Sequence, residues 1–137
     1  MAQQSAKLPI YRAIERIYDF SMDVCARLPK SLPYTVLGES MLRDLRDSLA
    51  LVNLAQQAEE GVGRLELIKA LVVRMTSVKT DYRALYARSS KGPARVLSPK
   101  QYAAFLGMAT EVSFQVSRWW KRNEEAVVSK GRTNALE

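Results

Sequence analysis

Three breaker segments cut this chain into four stretches of helical period, and that punctuation limits the architectures open to it. The first breaker is Leu28-Pro29-Lys30-Ser31-Leu32-Pro33, where two prolines four apart cannot share one helix. The second is Glu59-Glu60-Gly61-Val62-Gly63, whose glycines supply the left-handed turn conformations that a helical hairpin needs. The third runs over residues 88–97 and contains Gly92-Pro93. Between the breakers, apolar residues recur at three and four. No alternating strand pattern, internal repeat or low-complexity tract competes with this reading.

The first helix is expected over residues 9–28, with Ile10, Ile14, Ile17, Ser21, Val24 and Leu28 as its stripe. Cys25 lies beside that stripe and reads as a buried small hydrophobe, with no histidine in the chain to activate it. The second helix is expected over 34–58, with Leu37, Met41, Leu45, Ser48, Val52 and Ala55 repeating at the bundle period. Gly38 sits beside this stripe, where a close helix approach would explain it. The third is expected over 65–87, on Ile68, Leu71, Met75, Val78, Tyr82 and Leu85.

The fourth is expected over 99–127, opened by a capping box in which Ser98 and Gln101 satisfy each other's backbone, with Pro99 at the first helical position. Its core stripe is Phe105, Leu106, Ala109, Val112, Ser113, Val116 and Trp120, with Trp119 on a flank. Glu39 and Glu111 are isolated acids. Residues 1–7 are expected to be mobile, residues 8–128 to form the domain, and residues 129–137 to fray. Four helices of about six turns joined by short loops predict an all-α, antiparallel up-down-up-down four-helix bundle.

The fourth helix carries a second stripe. Ala103, Gly107, Thr110, Phe114, Ser117 and Lys121 also recur at four and three, on the side away from the core. A solvent face would carry charge, whereas this one carries small residues and one large aromatic. It predicts a seam between copies of the chain, formed by Ala103, Gly107, Thr110, Phe114 and Ser117 in a homo-oligomeric ring.

Charge is concentrated elsewhere. The formal net charge is +7, and residues 64–100 hold nine basic residues against Glu66 and Asp81. The whole excess thus sits in one third of the chain, which is the footprint of a polyanion partner or of a solvated basic surface. On the third helix, Lys79 and Arg83 share a flank with Lys69, Thr76 and Thr80, and no acid falls there. Asp81 lies on the opposite flank, placed to offset Arg74 and Arg88. Lys69, Lys79, Arg83, Arg88, Lys91, Arg95 and Lys100 are the candidate nucleic-acid-binding residues, because flexible cations can follow a phosphate backbone without reading bases.

Catalytic constellations are missing. The chain has no histidine and one cysteine, which excludes histidine-dependent triads, most zinc sites and an intrachain disulfide. There is no phosphate-binding glycine loop, no nucleophile elbow and no core Glu-x-x-His set. An enzyme, a metal and a cofactor are not expected. No run of eighteen apolar residues suggests a membrane span, the N-terminus lacks a leader's apolar core, and the lone cysteine fits a reducing compartment, so a cytoplasmic location is expected.

Several short motifs, taken in order, resemble one family. Leu8-Pro9-Ile10-Tyr11, Leu28-Pro29-Lys30, Leu37-Gly38-Glu39 and Ser98-Pro99-Lys100-Gln101-Tyr102, then Glu111-Val112 and Trp119, resemble the accessory variability determinant (Avd) proteins of diversity-generating retroelements. These are similar to the bundle proteins encoded by intervening sequences in bacterial 23S ribosomal RNA genes. The resemblance spans residues 8–122. It departs where Ser117-Arg118 precede Trp119, since the family often has Gly-Gly there.

The resemblance implies a non-catalytic partner of a reverse transcriptase. It implies a homopentamer with a basic surface for template RNA and possibly cDNA, and for the polymerase. Lys79 and Arg83 fall where the family tends to carry basic residues. The alternatives are a ribosomal intervening-sequence bundle protein, and a structural helical oligomer that binds acidic protein surfaces.

Overall fold

The computed structural model describes residues 8–91 and 96–136. The expected mobility of residues 1–7 lies outside them. Four α-helices follow one another: α1 (Pro9–Ala26), α2 (Tyr34–Gln57), α3 (Val62–Lys91) and α4 (Pro99–Leu136). No strand occurs among the described residues. Contacts join α1 to α2, α2 to α3, α3 to α4 and α4 back to α1, as a four-helix bundle requires.

The expected stripes converge on one core. Ile14, Ile17, Met41, Leu45, Ile68, Leu71, Val78, Leu85 and Phe105 are all fully buried in it. Aromatic pairs join α3 to α4: Tyr82 stacks on Phe105 with ring centroids 3.7 Å apart, and Tyr86 on Tyr102 at 4.4 Å. Ser21, the polar residue in the first stripe, is buried because its hydroxyl hydrogen-bonds the Tyr82 hydroxyl at 2.6 Å. Cys25 is half-buried rather than fully enclosed, and burial pushes its thiol up from its ordinary value. A Cβ added at Gly38 would lie 3.2 Å from Leu28 Cδ1 and 3.4 Å from Cys25 Sγ, so glycine allows this close approach of α2 to the end of α1.

The helix boundaries differ from the sequence expectation at four ends. α1 stops at Ala26, two residues early, ahead of the Pro29 breaker. α3 starts at Val62 and runs to Lys91, so Arg88 is helical rather than part of a loop. Among the described residues only Gly61 takes a positive φ, of 149°; Gly63 lies inside α3. α4 continues past residue 127 to Leu136. Glu124, Glu125 and Ala126 are good helix formers, and Lys130 Nζ donates to the Glu60 carbonyl at 3.3 Å, which ties the extension to the α2–α3 turn.

Arg64 holds that turn together. Its Nε donates to the Ala55 carbonyl at 2.8 Å and one terminal nitrogen donates to the Gln56 and Ala58 carbonyls. These include carbonyls that the end of α2 leaves without helical partners. A guanidinium is suited to this because its donors diverge in a fixed fork. Arg64→Ala is expected to cost about 2–3 kcal/mol in denaturant unfolding, and Arg64→Lys to recover less than half of it.

Candidate nucleic-acid interface

The exposed flank of α3 and the outward stripe of α4 meet along one groove. Lys79, half-buried, donates from Nζ to Ser113 Oγ of α4 at 2.9 Å. At 100° per residue, Val72, Thr76, Lys79, Arg83 and Lys69 fall within about 80° on α3, while Leu106, Thr110, Ser113 and Ser117 fall within about 60° on α4. The Lys79–Ser113 bond therefore sets the basic flank beside the suspected seam.

Each cation in the set can now be placed. Lys69, Arg83 and Arg88 are exposed along α3, and Lys100 is exposed in the first turn of α4. Lys91 is the last residue of α3, and Arg95 lies outside the described residues. The chain reversal that links the two helices is clamped by Ser89, whose hydroxyl both donates to the Leu97 carbonyl and accepts from its N–H, each at 2.9 Å. This clamp and the capping box place Arg88 and Lys100 at the same end of the bundle. The box itself forms as the sequence predicts, with Gln101 N donating to Ser98 Oγ at 3.0 Å and Ser98 N donating to Gln101 Oε1 at 2.8 Å.

The cations of this flank also make no ion pair among the described residues. Among the described residues, Lys69, Lys79, Arg83, Arg88 and Lys100 have no carboxylate partner; the ion pairs found all belong to Arg74. The hydroxyls of Thr76 and Thr80 turn back onto the carbonyls of Val72 and Thr76, so they add little polarity of their own.

Two expectations are corrected here. Asp81 does not offset Arg74 or Arg88: it accepts from Ser40 Oγ at 2.9 Å, and burial pushes its carboxyl above its ordinary value against that bond. Arg74 instead reaches Asp44 of α2 at 3.3 Å, with Asp47 at 3.9 Å. Asp44 is a buried acid on the core-facing surface of α2, three residues after Met41 and four before Ser48, the spacing that puts all three on one face. Leu106 is 43% exposed, not core, because Phe105 beside it takes the inward position.

The rest of the outward stripe of α4 faces solvent in the single chain: Ala103, Gly107, Thr110, Ser117 and Lys121 are exposed, and Phe114 is 58% exposed. Leu106 adds a second large apolar group near them. Trp119 and Trp120 are both half-buried, and Trp120 Nε1 donates to Glu124 at 3.2 Å. Trp120 thus closes the edge of the core rather than filling its centre. Glu111 is exposed and accepts from Gln115 Nε2 at 2.7 Å. No helix among the described residues is long and apolar enough to cross a membrane.

Comparison with known proteins returns no match: no family model matches the chain, and no curated protein or solved structure is significantly similar to it.

Proposed function

We propose that this protein is a non-catalytic nucleic-acid-binding accessory protein of the Avd type. In this reading the four helices run up-down-up-down as an antiparallel bundle. Copies assemble into a homo-oligomeric ring, a pentamer as the resemblance implies, and the ring works with a reverse transcriptase and its template RNA in the cytoplasm. The observation that carries the proposal is the unpaired flank of α3, joined by the Lys79–Ser113 bond to the exposed stripe of α4. Cations left without carboxylates repel one another, and an anionic backbone relieves that cost.

A ring multiplies the effect. Five copies at +7 each carry about +35, presented as repeated basic flanks. Phosphate contacts of this kind give affinity with little base preference. The test is a mobility-shift titration with single-stranded RNA across a salt series. If Lys69, Lys79, Arg83, Arg88 and Lys100 all sit on phosphates of the single strand, log K against log salt should fall with a slope of about −3.5 for each protomer engaged. Absence of any shift at 50 mM salt would remove the nucleic-acid reading and favour an acidic protein partner.

The ring has a separate test. Burying Phe114 and Leu106 against a neighbour would remove two large apolar groups from water. Phe114→Glu places a charge in that seam and is expected to reduce the mass seen by light scattering to that of one chain, with helicity unchanged. A wild-type protein already monomeric at micromolar concentration would sink the ring, as would a Phe114→Glu variant of unaltered mass.

A further inference from the structure

We propose that the cleft where α4 passes the start of α1 is a nucleotide site. The ligand is a base with a phosphate attached, either free or as the unpaired end of a strand. The cleft has a volume of about 390 Å³, within the range of small-ligand sites. It is separate from the basic groove, which lies on the α3 side of α4.

Several features of its wall select this chemistry, beside a Glu111 carboxylate that accepts from Gln115 Nε2. Trp119 offers an aromatic face, as base stacking requires. Arg118 and Arg122 stand one turn apart on α4, and neither has a carboxylate partner among the described residues. The Arg118 guanidinium carbon lies over the Phe114 ring, 5.6 Å from its centre. Two guanidinium groups at this spacing suit a phosphate dianion better than a single carboxylate.

Gln56, also on the wall, has a buried Oε1 with no hydrogen-bond partner. That orphan acceptor is stabilised by a donor such as the amino group of a base. α1 begins on the same wall without a side-chain cap, so its first turn adds partial positive charge.

Calorimetric titration of the full chain with AMP tests the site. AMP is expected to bind saturably, with adenosine and ribose 5-phosphate each at least about tenfold weaker, since each lacks one half of the recognised chemistry. Arg118→Ala with Arg122→Ala should weaken AMP by about tenfold or more while leaving helicity unchanged, because both side chains are exposed. Charge reversal at Lys79 and Arg83 should leave AMP affinity within about twofold, which separates this site from the basic groove. A short oligoadenylate that competes with AMP assigns the cleft to a strand end, and AMP binding without such competition assigns it to the free nucleotide. The proposal is overturned if AMP shows no saturable binding, or if the double arginine variant binds it as the wild type does.

Discussion

Replacing Tyr82 by alanine is expected to lower the unfolding free energy by about 3–5 kcal/mol, the largest single loss in the bundle. The ring is fully buried between Phe20 and Phe105, with centroids at 6.4 and 3.7 Å. Its removal leaves a cavity that three helices would have to close, and it also strands the Ser21 hydroxyl. Tyr82→Phe keeps the ring and isolates the second cost, about 1–3 kcal/mol for the orphaned Ser21 hydroxyl. Pairing Tyr82→Phe with Ser21→Ala should recover much of that loss, since no polar group is then left unpaired.

The phenol supplies a pH readout. Burial pushes Tyr82 far above its ordinary value, although the Ser21 hydrogen bond opposes the shift. The folded state therefore holds a proton that the unfolded chain releases near pH 10. Its contribution is complete below that pH and declines as the pH rises through it. Chemical denaturation of the wild type should show a loss of stability above about pH 10 that is reduced in Tyr82→Phe. Equal alkaline loss in both proteins would mean that the other tyrosines govern it.

Charge reversal at Lys79 and Arg83 is expected to have the largest effect on function, a fall in RNA affinity on the order of a hundredfold at 0.1 M salt. Each reversal removes a phosphate contact and adds a repulsive charge beside the remaining cations. Alanine at both positions is the gentler control and should make the salt slope on single-stranded RNA shallower by about 1.4. Folding should survive: Arg83 is exposed, and Lys79 gives up one hydrogen bond to Ser113, which stays half-exposed. RNA binding that persists unchanged in the reversed variant would show that the flank is only a solvated surface.

The core was legible because burial follows period. Ile14, Leu45, Val78 and Val112 could be placed inward from spacing alone, as could the capping box that starts α4. Leu106 was misplaced for the same reason. Its spacing is correct, but a helix that packs on two neighbours buries a narrower arc than its apolar residues span. The polar partners were less visible. Asp44 with Arg74, and Arg64 with the carbonyls of the α2–α3 turn, depend on distances between helices that no local pattern encodes. Arg64 had one available signal, its position directly after the Gly61–Gly63 turn, where helix-end carbonyls need donors.

Sequence alone determined the number of helices, their core faces and the third of the chain that carries the positive charge. Those properties follow from chain-local rules: proline and glycine interrupt, apolar residues recur at the helical period, and charge can be counted. Tertiary structure decided which surfaces meet. It placed Lys79 against Ser113, and so the basic flank beside the outward stripe of α4. It turned Asp81 to Ser40 and left Lys69, Lys79 and Arg83 of α3 without a carboxylate partner among the described residues. It also brought Arg118, Arg122 and Trp119 of α4 to the start of α1, more than a hundred residues away in sequence. The physical reason is one of range: a helix fixes which residues share a face, but only packing fixes what that face is set against.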